Sequence, residues 1–410
     1  MSVRSTKRGV IALVAILVVG LITVFAAACG SSATTTTSAA TATTSAATAT
    51  TSVPDTASTE ATTATTGAAL AAKLNGAGAT FPAAVYADWA YAYQYVDPSV
   101  VINYQGIGSG GGKKAIVDGT VDFAGSDSLL ADADYTNGKD LQMYPTLGGA
   151  VVLIYNIKLA KPLPTPAAGA TAVTLPALVL DRQTLVDIFN SKITKWNDPA
   201  IVKLNSAWAD YLPATAIVTV HRSDGSGTTE IFTKALASFS ADWKAGGAQS
   251  VEWPKGNNVG GKGNAGVAAS VINTPGAIGY VELNYALSNS LAYASLINQA
   301  GKTIVPNNAS VQAAMAGAQF SDKMTATIVD SKDPAAYPIA GFTYLILHTT
   351  NMKDCVKAQK ILEFWKWAET DPSAQSRVVK LGFSPLPAAD SKLMLDGLSK
   401  VACNGAPVLK

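Results

Sequence analysis

Hydrophobic positions fall into two rhythms along this chain. Short runs rich in β-branched and aromatic residues, at 100–104, 121–124, 150–154, 217–220, 278–281 and 344–347, read as buried strands, because such side chains pack well on a pleated surface. Between them the apolar residues recur at helical spacing: Val85, Trp89 and Tyr93 after Pro82, and Ile231, Phe232, Ala235, Leu236 and Phe239 after Thr228. That spacing places them on one face of a helix, and such a stripe is core rather than a cofactor box. Strands alternating with helices predict an α/β fold with mostly parallel sheets, whose ligand crevice lies beyond the carboxyl ends of the strands.

Two N-terminal stretches depart from this pattern. Arg4, Lys7 and Arg8 precede an apolar run from Gly9 to Val24, and then come Ala26, Ala27, Ala28 and Cys29. A basic start, an apolar middle and small residues before a cleavage point make residues 1–28 a secretory signal. The cysteine resembles that of a bacterial lipobox, which makes Cys29 the lipid-bearing N-terminus of the mature protein, although Ala26 stands where the pattern usually has Leu. An uncleaved transmembrane anchor is the alternative, since the run approaches the length of a span. Either way the protein is tethered at the extracytoplasmic face of the cell membrane. Residues 29–72 are almost entirely Thr, Ala and Ser; they cannot bury enough apolar surface to offset their conformational entropy and are expected to form a disordered tether.

Composition narrows the remaining possibilities. A formal net charge of +2, with 14% charged residues, excludes a polybasic nucleic-acid surface. With only two histidines, His221 and His348, and three widely spaced cysteines, no metal-ligand spacing appears, and no cofactor is implied. If Cys29 carries lipid, Cys355 and Cys403 remain as an even pair in an oxidising compartment, which predicts a disulfide; two separate buried thiols are the alternative.

Three distant Gly/Ser/Thr segments look like helix starts built to hold an oxyanion: 76–82, 106–112 and 222–228. Unpaired N–H groups and the positive end of a helix dipole attract anions there. In the first, Thr80 is a candidate ligand donor, or simply the N-cap of a helix with Pro82 at an early position. In the second, Gly106, Gly108 and Gly111 satisfy G-x-G-x-x-G, a weak dinucleotide signal taken alone. A further stretch, 256–262, is spaced like a Walker A loop, but Gly263 stands where Ser or Thr must bind magnesium. The third segment is the sharpest. Arg222 offers a planar fork for two oxyanion oxygens, Ser226 and Thr228 add hydroxyls beside the N–H groups of Gly227 and Thr228, and Asp224 is placed to orient the guanidinium. An ordinary Ser-Asp-Gly-Ser-Gly surface turn is its bland alternative.

Six ordered motifs, at 76–82, 104–109, 121–127, 222–228, 260–264 and 275–282, closely resemble the phosphate-binding subunit of bacterial phosphate ABC importers, and the likeness runs from about residue 74 onward. The resemblance implies a two-lobed α/β periplasmic-binding-protein (Venus flytrap) fold with two hinge crossovers, one lobe taking 73–155 and 336–410 and the other 156–335. It implies phosphate contacts at Thr80, Phe81 (through its backbone N–H), Ser109, Asp127, Arg222, Ser226, Gly227 and Thr228, with Asp224 as the partner of the arginine. It also implies a monomer without catalytic activity that passes inorganic phosphate to permease subunits and their ATPase. The long tether, the two extra cysteines and a Pro/Ala-rich insertion around Pro162 to Pro176, expected to be an exposed loop, depart from the family pattern.

Asp127 faces an anion, which calls for a physical reason. Phosphate near neutral pH retains a proton and can donate it to a carboxylate, whereas fully ionised sulfate cannot and would leave a buried carboxylate opposed to like charge. A site built around a ligand's hydrogen-bonding group can reject the analogue lacking it by about 10⁴–10⁵. On this reading Asp127 selects against sulfate; capping of a turn after the 121–124 strand is the alternative. A binder of sulfate or molybdate is disfavoured by Asp127, and a phosphatase by the lack of a G-x-S-x-G elbow around Ser109 and Ser226 and by the scarcity of histidine.

Overall fold

The computed structural model describes residues 72–166, 171 and 174–409. Signal segment, Cys29 and the tether as far as residue 71 lie outside the described residues, while Ala72, expected to end the tether, already belongs to a strand; part of the 162–176 insertion also lies outside, and its described positions are loop and largely exposed.

The chain enters on β1 (Ala72–Gly78) and α1 (Ala83–Tyr93), then β2 (Val100–Gly106), α2 (Ser109–Val117), β3 (Phe123–Ser126) and α3 (Asp132–Gly138). Next come the long strand β4 (Leu141–Tyr155), β5 (Val179–Leu180), α4 (Arg182–Phe189), α5 (Pro199–Leu204), β6 (Val218–Arg222), α6 (Gly227–Phe239), β7 (Asn258–Gly261), α7 (Gly263–Asn273), β8 (Ala277–Glu282) and α8 (Leu283–Ser288). The chain continues through β9 (Ser295–Ile297), β10 (Thr303–Ile304), α9 (Asn308–Met315), β11 (Ala340–His348), α10 (Cys355–Thr370), α11 (Pro372–Lys380), β12 (Ser384–Pro385) and α12 (Ala388–Leu398).

One sheet runs through the molecule in the order β2-β1-β3-β11-β4-β8-β6-β7, with β12 also pairing β4. Its two halves meet on β4, where 141–150 pair with β11 and 151–155 pair with β8. All six expected strands are present, and the two helical stripes lie on α1 and α6. The sheet is not mostly parallel, however. β1 with β2 and β3, and β6 with β7 and β8, are parallel, but β11 runs antiparallel to β3 and β4, and β4 antiparallel to β8. Each half is thus a parallel β-α-β set, and the antiparallel strands are those on which the chain changes halves.

The cores are aromatic. Trp89 and Tyr86 of α1 meet Trp365 of α10 edge-on, at centroid distances of 6.1 and 5.0 Å, and Phe123 joins them at 5.8 Å. In the other half Phe232 of α6 stacks on Tyr280 of β8 at 4.3 Å. Such pairs contribute about 0.5–1.5 kcal/mol each beyond the area they bury. Side chains cap neighbouring helices: Asp181 accepts from Thr184 N–H (2.7 Å) before α4, and Asp371 from Ser373 N–H (2.8 Å), with Pro372 opening α11. Cys355 at the start of α10 forms a disulfide with Cys403 near the C-terminus.

Candidate functional site

Four strand-to-helix junctions, β1–α1, β2–α2, β6–α6 and β7–α7, meet where the two halves of the sheet face each other. Their contacts can be followed atom by atom. Ser109, the first residue of α2, is buried; its Oγ accepts from the N–H of Asp127 (3.2 Å) and from the N–H of Gly227 (3.1 Å), the first residue of α6. The N–H of Gly110 donates to Gly225 O at 3.0 Å, a second bond across the same gap. Gly108 caps α2 with φ +86°, and a Cβ there would stand 2.4 Å from Asp224 Oδ2, so this turn requires glycine on both conformational and steric grounds.

Arg222 ends β6 with its side chain 1% exposed. Nε and Nη2 donate to the two carboxylate oxygens of Asp224 (2.7 and 2.5 Å), and Asp224 Oδ1 also accepts from Gly263 N–H at 2.9 Å. Burial pushes Asp224 upward, but the bond and charge of Arg222 outweigh it and hold the carboxyl below its ordinary range. The fork is therefore fixed in orientation and paired with a carboxylate. Ser226 is the N-cap of α6, its Oγ accepting from Thr229 N–H at 3.1 Å, and Thr228 sits buried in the first turn.

Asp127 follows β3 and is buried. Its Oδ1 accepts from Thr343 Oγ1 of β11 at 3.0 Å. Desolvation pushes this carboxyl up to about 7, opposed by the Thr343 bond and the charge of Arg222 and reinforced by Glu230. Glu282, at the end of β8, is fully buried and also raised well above its usual value by desolvation, even though its oxygens accept from the N–H of Asn284.

Thr80 is not an N-cap. Helix α1 starts at Ala83 with Pro82 as its capping residue and without a side-chain capping bond. Thr80 Oγ1 instead accepts from the backbone N–H (3.2 Å) and the side-chain Nδ2 (3.0 Å) of Asn264 in the opposite half, and Thr80 O accepts from Tyr285 OH at 2.6 Å. Phe81 is fully buried, its ring edge-on to Phe383 at 5.9 Å, which leaves only its backbone for ligand chemistry. The Walker-like stretch contributes β7, paired in parallel with β6, and is not a phosphate loop. Gly106 and Gly108 of the G-x-G-x-x-G pattern close β2 and open α2 against 224–225, in this same site.

A superfamily model described as a PBP superfamily domain matches residues 32–371. The phosphate-binding protein PstS of Pasteurella multocida is 39% identical over 321 residues, covering 77% of this chain and 87% of that protein. PstS of Xylella fastidiosa is 40% identical over 319 residues, covering 77% and 82%. The chain belongs to the phosphate-binding-protein family. A phosphate-bound high-affinity periplasmic phosphate-binding protein, PfluDING, has the same fold at a TM-score of 0.60 and 22% identity, covering 78% of this chain and 92% of that one. Members of this family are binding proteins, and this one is not an enzyme. Its architecture is the two-lobed periplasmic-binding-protein fold.

Of the residues named from the family pattern, Thr80 and Phe81 lie at β1–α1, Ser109 at β2–α2, and Arg222, Asp224, Ser226, Gly227 and Thr228 at β6–α6, while Asp127 lies in the loop after β3. Four more hold them without having been singled out from sequence. Thr343 falls one position before the apolar run that marked β11; Tyr285 and Gln249, whose backbone O accepts from Ser226 N–H at 2.9 Å, carry no local signal. Asn264 closes the glycine-rich 260–264 motif.

Proposed function

We propose that this family member captures inorganic phosphate outside the cytoplasmic membrane and delivers it to an ABC importer, with the ligand held by Thr80, Phe81 N–H, Ser109, Asp127, Arg222, Ser226, Gly227 and Thr228. The observation that carries the reading is the convergence of helix starts on buried Arg222, held by half-buried Asp224, with Asp127 opposite. Such a site supplies many N–H and O–H donors but little net charge, which suits an oxyanion that must be fully desolvated and later released. Asp127 is the acceptor for the ligand's proton, and sulfate, having none, is excluded.

Lobe I comprises 73–155 and 336–410 and lobe II 156–335 on this reading. The assignment is supported by the change of partner along β4 and by the return of the chain through 336–340 into β11. Lobe closure, by hinge motion at those two crossovers, is the capturing step. The signal peptide 1–28, a lipid on Cys29 and the 29–72 tether place the monomeric capture domain at the outer face of the membrane. No helix among the described residues is long and apolar enough to cross a membrane, so permease subunits and their ATPase supply translocation.

A thermal melt tests capture directly. A ligand that binds only the folded chain stabilises it by RT ln(1 + [L]/Kd), about 2.7 kcal/mol at a hundredfold excess over Kd. Phosphate is expected to raise the melting temperature at micromolar concentration; no shift up to millimolar phosphate would remove the proposal.

A further inference from the structure

Asn264, the second residue of α7, is fully buried, and every polar group of its side chain is used. Its Oδ1 accepts from the N–H of Glu282 at 3.2 Å. Because a backbone N–H can only donate, that bond settles which end of the amide is oxygen. Both hydrogens of Nδ2 are then committed outward, one to Thr80 Oγ1 at 3.0 Å and one to Thr228 Oγ1 at 3.2 Å. Thr80 Oγ1 receives a second bond from the Asn264 backbone N–H at 3.2 Å.

A threonine hydroxyl has one hydrogen and two lone pairs. With both lone pairs of Thr80 filled by Asn264, its hydrogen is left to donate elsewhere. Thr228 has one lone pair filled from the same amide. The two threonines come from opposite halves of the sheet, and a single residue bonds both hydroxyls.

We infer that Asn264 is a positioning residue that leaves the Thr80 hydroxyl only its hydrogen to offer and, by filling one lone pair of Thr228, orients that hydroxyl too, so that both serve as donors towards the ligand, one from each side of the cleft. The inference rests on the phosphate reading above and adds a residue that need not touch phosphate itself. A hydroxyl held as a donor loses no orientational freedom on binding and cannot turn a lone pair towards an anion; this is pre-organisation of the kind that raises affinity without adding a contact. It also ties closure to chemistry, since Thr80 is polarised only when the halves meet.

Mutant cycles on the full-length protein, purified in detergent and stripped of phosphate, separate this role from simple packing. Phosphate affinity is measured by calorimetry for Thr80→Val, Thr228→Val and Ser226→Ala, each with Asn264 intact and with Asn264→Ala. Each threonine change is expected to weaken binding about tenfold with Asn264 present and less than about threefold in the Asn264→Ala background. Ser226, which Asn264 does not contact, is expected to cost the same factor in both backgrounds. Equal costs in both backgrounds for the threonines, or a loss of coupling that includes Ser226, would overturn the inference while leaving phosphate capture intact. Should Asn264→Ala fail to show a cooperative melt, the cycle is read in Asn264→Leu, which keeps the size of the side chain but has no hydrogens to give; the same two outcomes then decide. Absence of phosphate binding by the unaltered protein would overturn the capture reading and this inference together.

Discussion

Burial pushes Asp127 up to about 7, so its protonation changes within the range where phosphate itself exchanges a proton. On the proposed reading the two carboxylate states are not equivalent. Ionised Asp127 accepts a proton from phosphate and repels sulfate; protonated Asp127 has an O–H of its own and can donate to either anion. Selectivity should therefore be strongest above pH 7 and erode as pH falls. Asp127→Asn fixes the donor form. We expect that variant to bind sulfate at pH 8, in a titration where the unaltered protein shows none, and unchanged discrimination would contradict the role given to Asp127. Arg222, by contrast, contributes direction as much as charge, because Asp224 already neutralises much of it and locks the fork.

At the scale of elements, the site depends on how closely α2 approaches β1. A Cβ at Gly112 would lie 2.5 Å from the Cα of Gly78 and 3.0 Å from Ala77 O, both backbone atoms that cannot swing away. Gly112→Ala must push α2 off the sheet, and with it Ser109, whose Oγ ties Asp127 to Gly227. We expect a fold with a lowered melting temperature and phosphate affinity reduced by tenfold or more, roughly 1.4 kcal/mol; full affinity in calorimetry would show that the approach is not needed. Much of this level was legible beforehand. Apolar runs at 150–154 and 278–281 marked β4 and β8 because both are buried on both faces, and the stripe after Thr228 marked α6. Strand direction was not legible: nothing in 340–348 or 141–155 tells whether partners 200 residues away run parallel, and the antiparallel pairings of β11 and β4 arise from the crossover between halves. The misplaced cap at Thr80 has a similar cause. Its local context suits an N-cap, and only Asn264, far along the chain, recruits its hydroxyl into the site.

For the whole molecule, three buried carboxyls act in the same direction. Asp127 is pushed up to about 7 and Glu369 of α10 to about 8, each mainly by desolvation, and Glu282 is raised as well. A carboxyl whose folded pKa exceeds its unfolded value of about 4 holds its proton more tightly in the fold, so its favourable contribution is complete below about pH 4 and is lost as pH rises through the folded value. The ligand-free protein is expected to lose stability between about pH 4 and 8. Glu369→Gln, which touches no site residue, should flatten the upper part of that curve; an unchanged melting profile would show that Glu369 is not protonated in the fold.

The site's central claim is that a ligand proton is read by Asp127, and calorimetric titration of the phosphate-free protein with phosphate and with sulfate, at pH 8.5 and pH 5, tests it most directly. The account predicts tight one-to-one phosphate binding at both values, no sulfate binding at pH 8.5, and sulfate binding emerging at pH 5 as Asp127 protonates. Sulfate bound as well as phosphate at pH 8.5, or phosphate not bound at all, would contradict it.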